Sequence, residues 1–309
     1  MLWKKSQMYE SIPYYYQGNE EKKQFLLRLV EDFEQIRRKP VPIGKKLVEV
    51  FEAMGMSIRS MSEYEPSKSI VIWGAVKEAP DGTNTRRINI SDQQRENGFK
   101  TVLVERGYVQ REDYYSFGLT DYATQINNES DFKNEEMPND RAKDLNVELK
   151  PWKEPDKKRK YVLVCGQTYN DANVNDINYE EWLNETLNYL LEKSERRILY
   201  RPHPLENRGL FVPEGVKISH ERTIEQDFAL AATVVSYSSN SCVESVIEGI
   251  PSFVISKKSV AWDVANHDLS EINNPKTFDR DQWLNNLAYA QWNLEEIRQG
   301  LPFKHLGII

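Results

Sequence analysis

The chain has 309 residues, 39% apolar and 11% aromatic, a globular composition long enough to build two cored domains. Its 48 acidic against 41 basic side chains leave a net charge of −7, which excludes wholesale, non-specific polyanion binding. Only Cys165 and Cys242 occur, so neither a disulfide framework nor a cysteine-rich zinc site is expected, and a reducing cytoplasm is the simplest compartment.

The opening "MLWKKSQMYESIPYYYQ" lacks the apolar core of a signal peptide, and no apolar run is long enough to span a bilayer. No integral membrane segment is expected. Phe25, Leu26, Leu29, Val30, Phe33 and Ile36 follow helical spacing, as do Leu47, Val50, Phe51 and Met54, with Gly55 as a stop. "SIVIWGAV" (69–76) and "KTVLVER" (100–106) read as buried parallel strands. Polarity then rises through 127–146 to 150–160, punctuated by Pro138, Pro151 and Pro155, and the interdomain connection is placed there.

The second half alternates. Strands are expected at 161–166, 197–200, 233–237 and 252–256, with helices at 179–193, 223–231 and 241–248 between them. A last long helix is expected over 279–299, with Trp283, Leu287, Ala290, Leu294 and Ile297 along one stripe. The fold class is α/β: a Rossmann-like domain over 1–150, a second over 151–278, and a C-terminal helix in 279–309 returning toward the first. Two such domains would face one another across a cleft, with ligands beyond the carboxyl ends of the strands.

Unusual polar residues fall at those ends. Gln167 and Asp171 follow the strand at 161–166, Arg201 and His203 sit in "RPHP", and "SSNS" (238–241) follows the strand at 233–237. Glu105 lies at the exit of the strand at 100–106. Ser241 and Glu244 have capping-box spacing, and Gly249 and Pro251 form a helix stop, which explains those four residues without a ligand. Ser238, Ser239 and Asn240 are left over, and hydroxyls and amides at such a turn suit an anion. Arg201 can grip phosphate oxygens, and Pro202 and Pro204 fix the backbone around His203. Asp171 reads either as a turn residue bonding local backbone or as a general base or nucleophile. Glu105 reads as its acid partner or as a salt-bridge former. No Gly-rich phosphate loop, serine nucleophile elbow or zinc spacing is present.

Four segments in order, "VERGYVQREDYYSFGL" (104–119), "CGQTYNDANV" (165–174), "RPHP" (201–204) and "YSSNSCVESVIEGIPSF" (237–253), together resemble the retaining β-Kdo transferases of capsule polysaccharide synthesis and their phage-borne relatives. The resemblance covers about residues 100–305, and the tail 261–300 is more similar to phage-encoded members. It implies a GT-B architecture with a nucleotide sugar as substrate, no further cofactor and no metal. It also implies Asp171 and Glu105 as catalytic residues. Gln167, Arg201, His203, Ser238, Ser239, Asn240, Ser241 and Glu244 would hold the donor nucleotide and its phosphate. The capsule enzymes continue "ExGF" with Arg–Ser, whereas this chain reads "ERGYVQRED".

The function expected is glycosyl transfer from a nucleotide sugar to an acceptor hydroxyl. A phage origin favours hydroxymethylated pyrimidines, so double-stranded DNA carrying hydroxymethylcytosine becomes the partner, in the host cytoplasm. Arg37, Arg38, Lys45, Lys46, Arg86 and Arg87 would then contact DNA phosphates. The alternatives are a transferase of surface polysaccharide or lipid-linked glycan, and a non-catalytic nucleotide-binding protein.

Overall fold

The structure, a computed structural model, describes residues 13–18, 25–30, 43–54, 56–60, 66, 68–74, 86–119, 137–154 and 159–309, the last range without 170, 175, 176, 207, 210 and 220. The chain divides into two compact α/β units, Met1–Phe132 with Tyr289–Ile309, and Lys133–Ala288. The division falls inside the polar stretch but ahead of the 150/151 boundary expected, and the return to the first unit begins at Tyr289 rather than 279.

The first unit is built on seven strands: β1 (Pro13–Gly18), β2 (Phe25–Val30), β3 (Met56–Ser60), β4 (Ser69–Trp73), β5 (Lys100–Arg106), β6 (Tyr114–Leu119) and β12 (Gln291–Asn293), in the order β12-β6-β5-β4-β2-β1-β3. Its centre, β2-β4-β5, is parallel, while β1, β3, β6 and β12 pair antiparallel. The helix expected from Phe25 is therefore corrected to a strand over Phe25–Val30, in register with Ser69–Ile72. "FLLRLV" is almost continuously apolar, and a dense apolar run matches helical spacing as readily as that of a strand covered on both faces. Phe33, Ile36 and Gly55 lie outside the described residues.

Helix α1 (Ile43–Ala53) forms as its spacing predicts: Leu47, Val50 and Phe51 are at most 2% exposed and pack with Val71, Val102, Val104, Tyr115 and Phe117. Trp292, Ile297 and Phe303 from the chain's end enter the same core. Helix α2 (Arg86–Glu96) precedes β5.

The single helix expected over 279–299 is corrected to helix α7 (Asp281–Tyr289), β12 and helix α8 (Leu294–Arg298), with helix α9 (Leu301–His305) beyond. Two interactions outweigh the apolar stripe. Gln291–Asn293 adds an antiparallel edge to β6, and the fully buried Gln291 Oε1 accepts the Tyr108 and Val109 N–H groups at 2.7 and 3.2 Å. Asn293 then caps a new helix through a capping box with Glu296.

The second unit carries an all-parallel sheet of β7 (Tyr161–Cys165), β8 (Arg197–Arg201), β9 (Lys217–Ile218), β10 (Ala231–Ser236) and β11 (Ser252–Val254), in the order β11-β10-β7-β8-β9. Helices α3 (Arg141–Asp144), α4 (Tyr179–Lys193), α5 (Ile224–Phe228) and α6 (Ser241–Ile247) belong to it. Asn178 caps α4, and Leu183, Leu187 and Leu190 lie against Val162, Val164, Ile198, Tyr200, Val235 and Phe253. Because every strand runs the same way, the exits of β7, β8, β10 and β11 lie along one edge of the sheet.

Gly249 ends α6 in the left-handed region (φ +73°), where a β-carbon would collide with the Pro151 carbonyl. Arg280 secures the same crossing by donating to the Val246 and Lys150 carbonyls at 2.5 and 2.8 Å and lying 3.9 Å over the Trp152 ring. No helix among the described residues is long and apolar enough to cross a membrane.

Candidate functional site

Two of the sheet's exits, those of β7 and β10, are tied to one another through a buried amide. Gln167, the second residue after β7, is 3% exposed. Its Oε1 accepts the Ser238 N–H at 2.8 Å, and its Nε2 donates to Ser238 Oγ at 3.0 Å and to Asp171 Oδ2 at 3.4 Å. Its own N–H donates to the Tyr179 hydroxyl at 2.7 Å. On the other side the Gly166 N–H donates to the Arg201 carbonyl at 2.8 Å. The turns after β7, β8 and β10 thus share hydrogen bonds at their bases.

Asp171 opens the 3-10 turn Ala172–Val174. Its Oδ1 accepts the Asn173 N–H at 2.9 Å and its carbonyl accepts the Val174 N–H at 3.2 Å, so one carboxylate oxygen does the local turn work expected of an Asp there. Oδ2 carries the long bond from Gln167. The carboxylate is half-buried beside the Gln167–Ser238 pair.

Arg201 is the last residue of β8. Its Nη1 donates to Asp227 Oδ2 at 2.8 Å and to the Arg222 carbonyl at 2.9 Å. Asp227 is fully buried, takes a 2.6 Å bond from Ser219 Oγ, and has Arg222 Nη1 at 3.6 Å. One edge of the Arg201 guanidinium is thus anchored inside the unit. His203, half-buried, accepts the Leu205 N–H on Nδ1 at 3.1 Å. That bond places the proton of the neutral ring on Nε2, which makes Nε2 a donor.

The turn after β10 departs from expectation in one respect. Helix α6 starts at Ser241 with Asn240 as its cap residue, and no side chain caps it in the usual way, so the Ser241–Glu244 capping box is corrected. Ser239 takes over: its Oγ accepts the Ser241 N–H at 3.3 Å and the Ser241 hydroxyl at 2.9 Å. Glu244 Oε1 accepts instead from Asn240 Nδ2 at 3.2 Å. The turn lies tight against the sheet: Ser238 N–H is held by Gln167 and Ser239 N–H by Ser236 Oγ at 3.1 Å, and the helix starts at Ser241 itself, one residue before a Ser241 cap would start it. Several amides expected to face an anion are therefore bound within the protein.

Glu105, half-buried, sits on β5 of the first unit opposite Ser116. Lys45 and Lys46 belong to α1, Lys46 exposed, and Arg86 and Arg87 open α2. Arg37 and Arg38 lie outside the described residues.

Sequence reasoning missed the partners that hold the site in place. Asp227, Ser219 and Arg222 anchor Arg201, and Tyr179 anchors Gln167. A further clasp joins the loops after β7 and β8. Glu206 accepts Arg208 Nε and Nη2 at 2.9 and 3.1 Å, the Arg208 N–H at 3.0 Å, and the Tyr169 N–H at 3.4 Å. Burial pushes the Glu206 carboxyl up, but the Arg208 hydrogen bonds and charge, with the Tyr169 N–H, outweigh it and hold the group below the usual carboxylate range. No charge pattern marks these roles in the sequence; only the spacing of Glu206 and Arg208 within one short loop hints at them.

Cys165 and Cys242 are both fully buried in effect, and burial pushes the Cys165 thiol up to about 12, so it is a packing group rather than a nucleophile. Among the described residues, no group of three or more His, Cys, Asp or Glu is placed to hold a metal ion.

No protein-family model and no curated protein matches the chain. Solved structures similar to it include two from Thermosulfurimonas dismutans. The KpsC β-Kdo 2,7 transferase is 13% identical, with a TM-score of 0.49 over 90% of this chain and 97% of that one. The KpsC β-Kdo 2,4 transferase is 14% identical, with a TM-score of 0.47 over 75% of this chain and 86% of that one. A Methanocaldococcus jannaschii UDP-GlcNAc 2-epimerase, in complex with UDP-GlcNAc and UDP, is similar at a TM-score of 0.35, 13% identity, and 88% of both chains. β-Kdo transferases, which the four sequence segments resemble, thus stand among the structural neighbours.

Proposed function

We propose that the protein is a glycosyltransferase of GT-B type, moving a sugar from a nucleotide-sugar donor to an acceptor hydroxyl. The observation that carries the reading is the Gln167 hub, which joins the Asp171 turn to the Ser238 turn at the carboxyl edge of a parallel sheet. That edge is where α/β sheets hold nucleotide ligands. The residues 151–278 supply the donor side and 1–150 the acceptor side in this reading.

In the reaction, the bond between the anomeric carbon and the donor phosphate oxygen breaks, and an acceptor oxygen bonds to that carbon. Negative charge grows on the leaving phosphate, positive charge on the sugar. The remaining edge of the Arg201 guanidinium, the His203 ring and the Ser239 hydroxyl are groups suited to the phosphate, with Ser241 and Asn240 beside them. Asp171 Oδ2 offers a carboxylate to the anomeric carbon, as nucleophile, or to the acceptor proton, as base. Its Oδ1 bond to Asn173 fixes the direction of the carboxylate. Gln167 positions Asp171 and Ser238, and Glu244 orients Asn240.

For the acceptor, we propose the hydroxyl of a hydroxymethylated pyrimidine in DNA, flipped into the site, with Lys45, Lys46, Arg86 and Arg87 near its phosphates and Arg37 and Arg38 adding to them. A second reading, a surface or lipid-linked glycan acceptor, is favoured by the similarity of the four segments to β-Kdo transferases. Incubation with a panel of nucleotide sugars, with hydroxymethylcytosine DNA in one arm and oligosaccharide in the other, tests the proposal by mass. Added mass on the DNA alone supports the DNA acceptor, added mass on the oligosaccharide alone supports the glycan, and neither transfer nor donor hydrolysis rejects the enzyme.

A further inference from the structure

Tyr169 is 49% exposed, although one face of its ring is covered by the Arg208 guanidinium at 4.0 Å. The second face therefore looks into solvent. The ring belongs neither to the apolar cluster centred on Val162 nor to the one centred on Tyr179, so packing in those clusters does not account for an aromatic there. Yet it is braced from one side. Arg208 is fixed by a two-pronged bond to Glu206, whose side chain is 6% exposed, and Glu206 also accepts the Tyr169 N–H. One carboxylate thus sets both the backbone of Tyr169 and the cation that stacks on its ring.

We infer that Tyr169 is a preformed stacking shelf for the C–H face of the donor's sugar ring, an inference that rests on the glycosyltransferase reading. The ring is braced on one face before any ligand arrives, which lowers the ordering cost of binding on its open face. Arg208 on the far face prevents the ring from turning away. The choice of sugar over base follows from position. Tyr169 lies two residues from Asp171, at most about 7 Å along an extended chain. In the proposed mechanism Asp171 meets the anomeric carbon, from which ribose and phosphate separate the base. The shelf makes the donor sugar, rather than the nucleotide, the group that Tyr169 selects.

The test is equilibrium binding to the full chain of UDP, GDP, dTDP, ADP and CMP, each beside UDP-glucose, GDP-mannose, dTDP-glucose, ADP-glucose and CMP-N-acetylneuraminic acid. Wild type, Tyr169→Ala, Tyr169→Phe and Arg208→Ala are compared, with thermal melting to show that each is folded. Tyr169→Ala is expected to weaken the nucleotide sugar that wild type binds by about tenfold and to leave the matching free nucleotide unchanged. Tyr169→Phe keeps wild-type affinity, and Arg208→Ala weakens the nucleotide sugar by less than Tyr169→Ala. Equal losses for sugar-bearing and free nucleotide overturn the shelf, as does no loss, or a loss in Tyr169→Phe equal to that in Tyr169→Ala. Wild-type protein that binds none of the ten rejects the glycosyltransferase reading and the shelf together; binding without the Tyr169 discrimination rejects the shelf alone.

Discussion

Gln167 and Ser238 are 71 residues apart in sequence and joined at both ends of the amide, by Ser238 N–H to Gln167 Oε1 at 2.8 Å and by Gln167 Nε2 to Ser238 Oγ at 3.0 Å. Both ends of one buried amide are used, so no residue of other chemistry fits without leaving a buried group unpaired. Gln167→Ala is expected to destabilise the protein by about 1–3 kcal/mol, by stranding the Ser238 N–H. Gln167→Glu keeps the volume but turns an acceptor toward Asp171 and Ser238, and is expected to lower transfer more than it lowers stability. Denaturant unfolding beside transfer rates separates the two; a Gln167→Glu variant with wild-type turnover would contradict the positioning role.

The Arg201–Asp227 pair makes a second claim. Removing one partner of a buried ion pair leaves the other uncompensated, and Asp227 is fully buried against Arg201 and Ser219. Asp227→Ala strands Arg201 Nη1 and Ser219 Oγ, with the Arg201 side chain still 20% exposed to solvent, and is expected to cost about 1–3 kcal/mol of stability. Asp227→Asn, of the same shape, keeps the Ser219 contact and loses less. Chemical denaturation of both checks the order, and equal small losses would show that Arg201 is not anchored through Asp227.

The Glu206–Arg208 clasp is expected to depend on pH in a defined direction. Glu206 is held below its ordinary range when folded, so its contribution is complete above the unfolded value, about 4.3, and is lost as pH falls through the lower folded value. The melting gap between wild type and Glu206→Gln should be constant near neutrality and shrink on acidification below that range. A gap independent of pH would mean that the carboxylate charge does not hold the loops.

Gly249→Ala tests the crossing beside α6. A side chain at φ +73° is strained, and its β-carbon would strike the Pro151 carbonyl, which Arg280 and Trp152 hold in place. A loss of about 2 kcal/mol or more is expected from strain and overpacking together. A calorimetric melt unchanged from wild type would show that the Pro151 segment yields freely.

Where one strong signal acted alone, the fold was legible from residues. The helix expected over 179–193 forms as α4 with its Leu183, Leu187 and Leu190 stripe inward, and the apolar runs at 161–165, 197–200 and 233–236 lie in strands. Two segments misled for a shared reason: sheet pairing competed with helical spacing and won. Phe25–Val30 is taken up between β1 and β4, and Gln291–Asn293 by β6, through partners far away in sequence. The strand-exit polar residues were visible from their positions. Their supports were not, because Tyr179, Asp227, Glu206 and Arg208 act only through contacts that folding creates. The local cap of α6 is a smaller case: Ser241–Glu244 has the right spacing, but Gln167 and Ser236 hold the preceding amides, and the cap falls to Ser239.

The measurement that tests glycosyl transfer most directly is turnover by wild type and Asp171→Asn, followed by mass on donor and acceptor with donor binding measured in parallel. Wild type is expected to transfer a sugar, and Asp171→Asn to bind the donor as wild type does while losing activity by about 10³-fold or more. Transfer by Asp171→Asn at the wild-type rate, or donor binding by wild type with no cleavage of any nucleotide sugar, would contradict it.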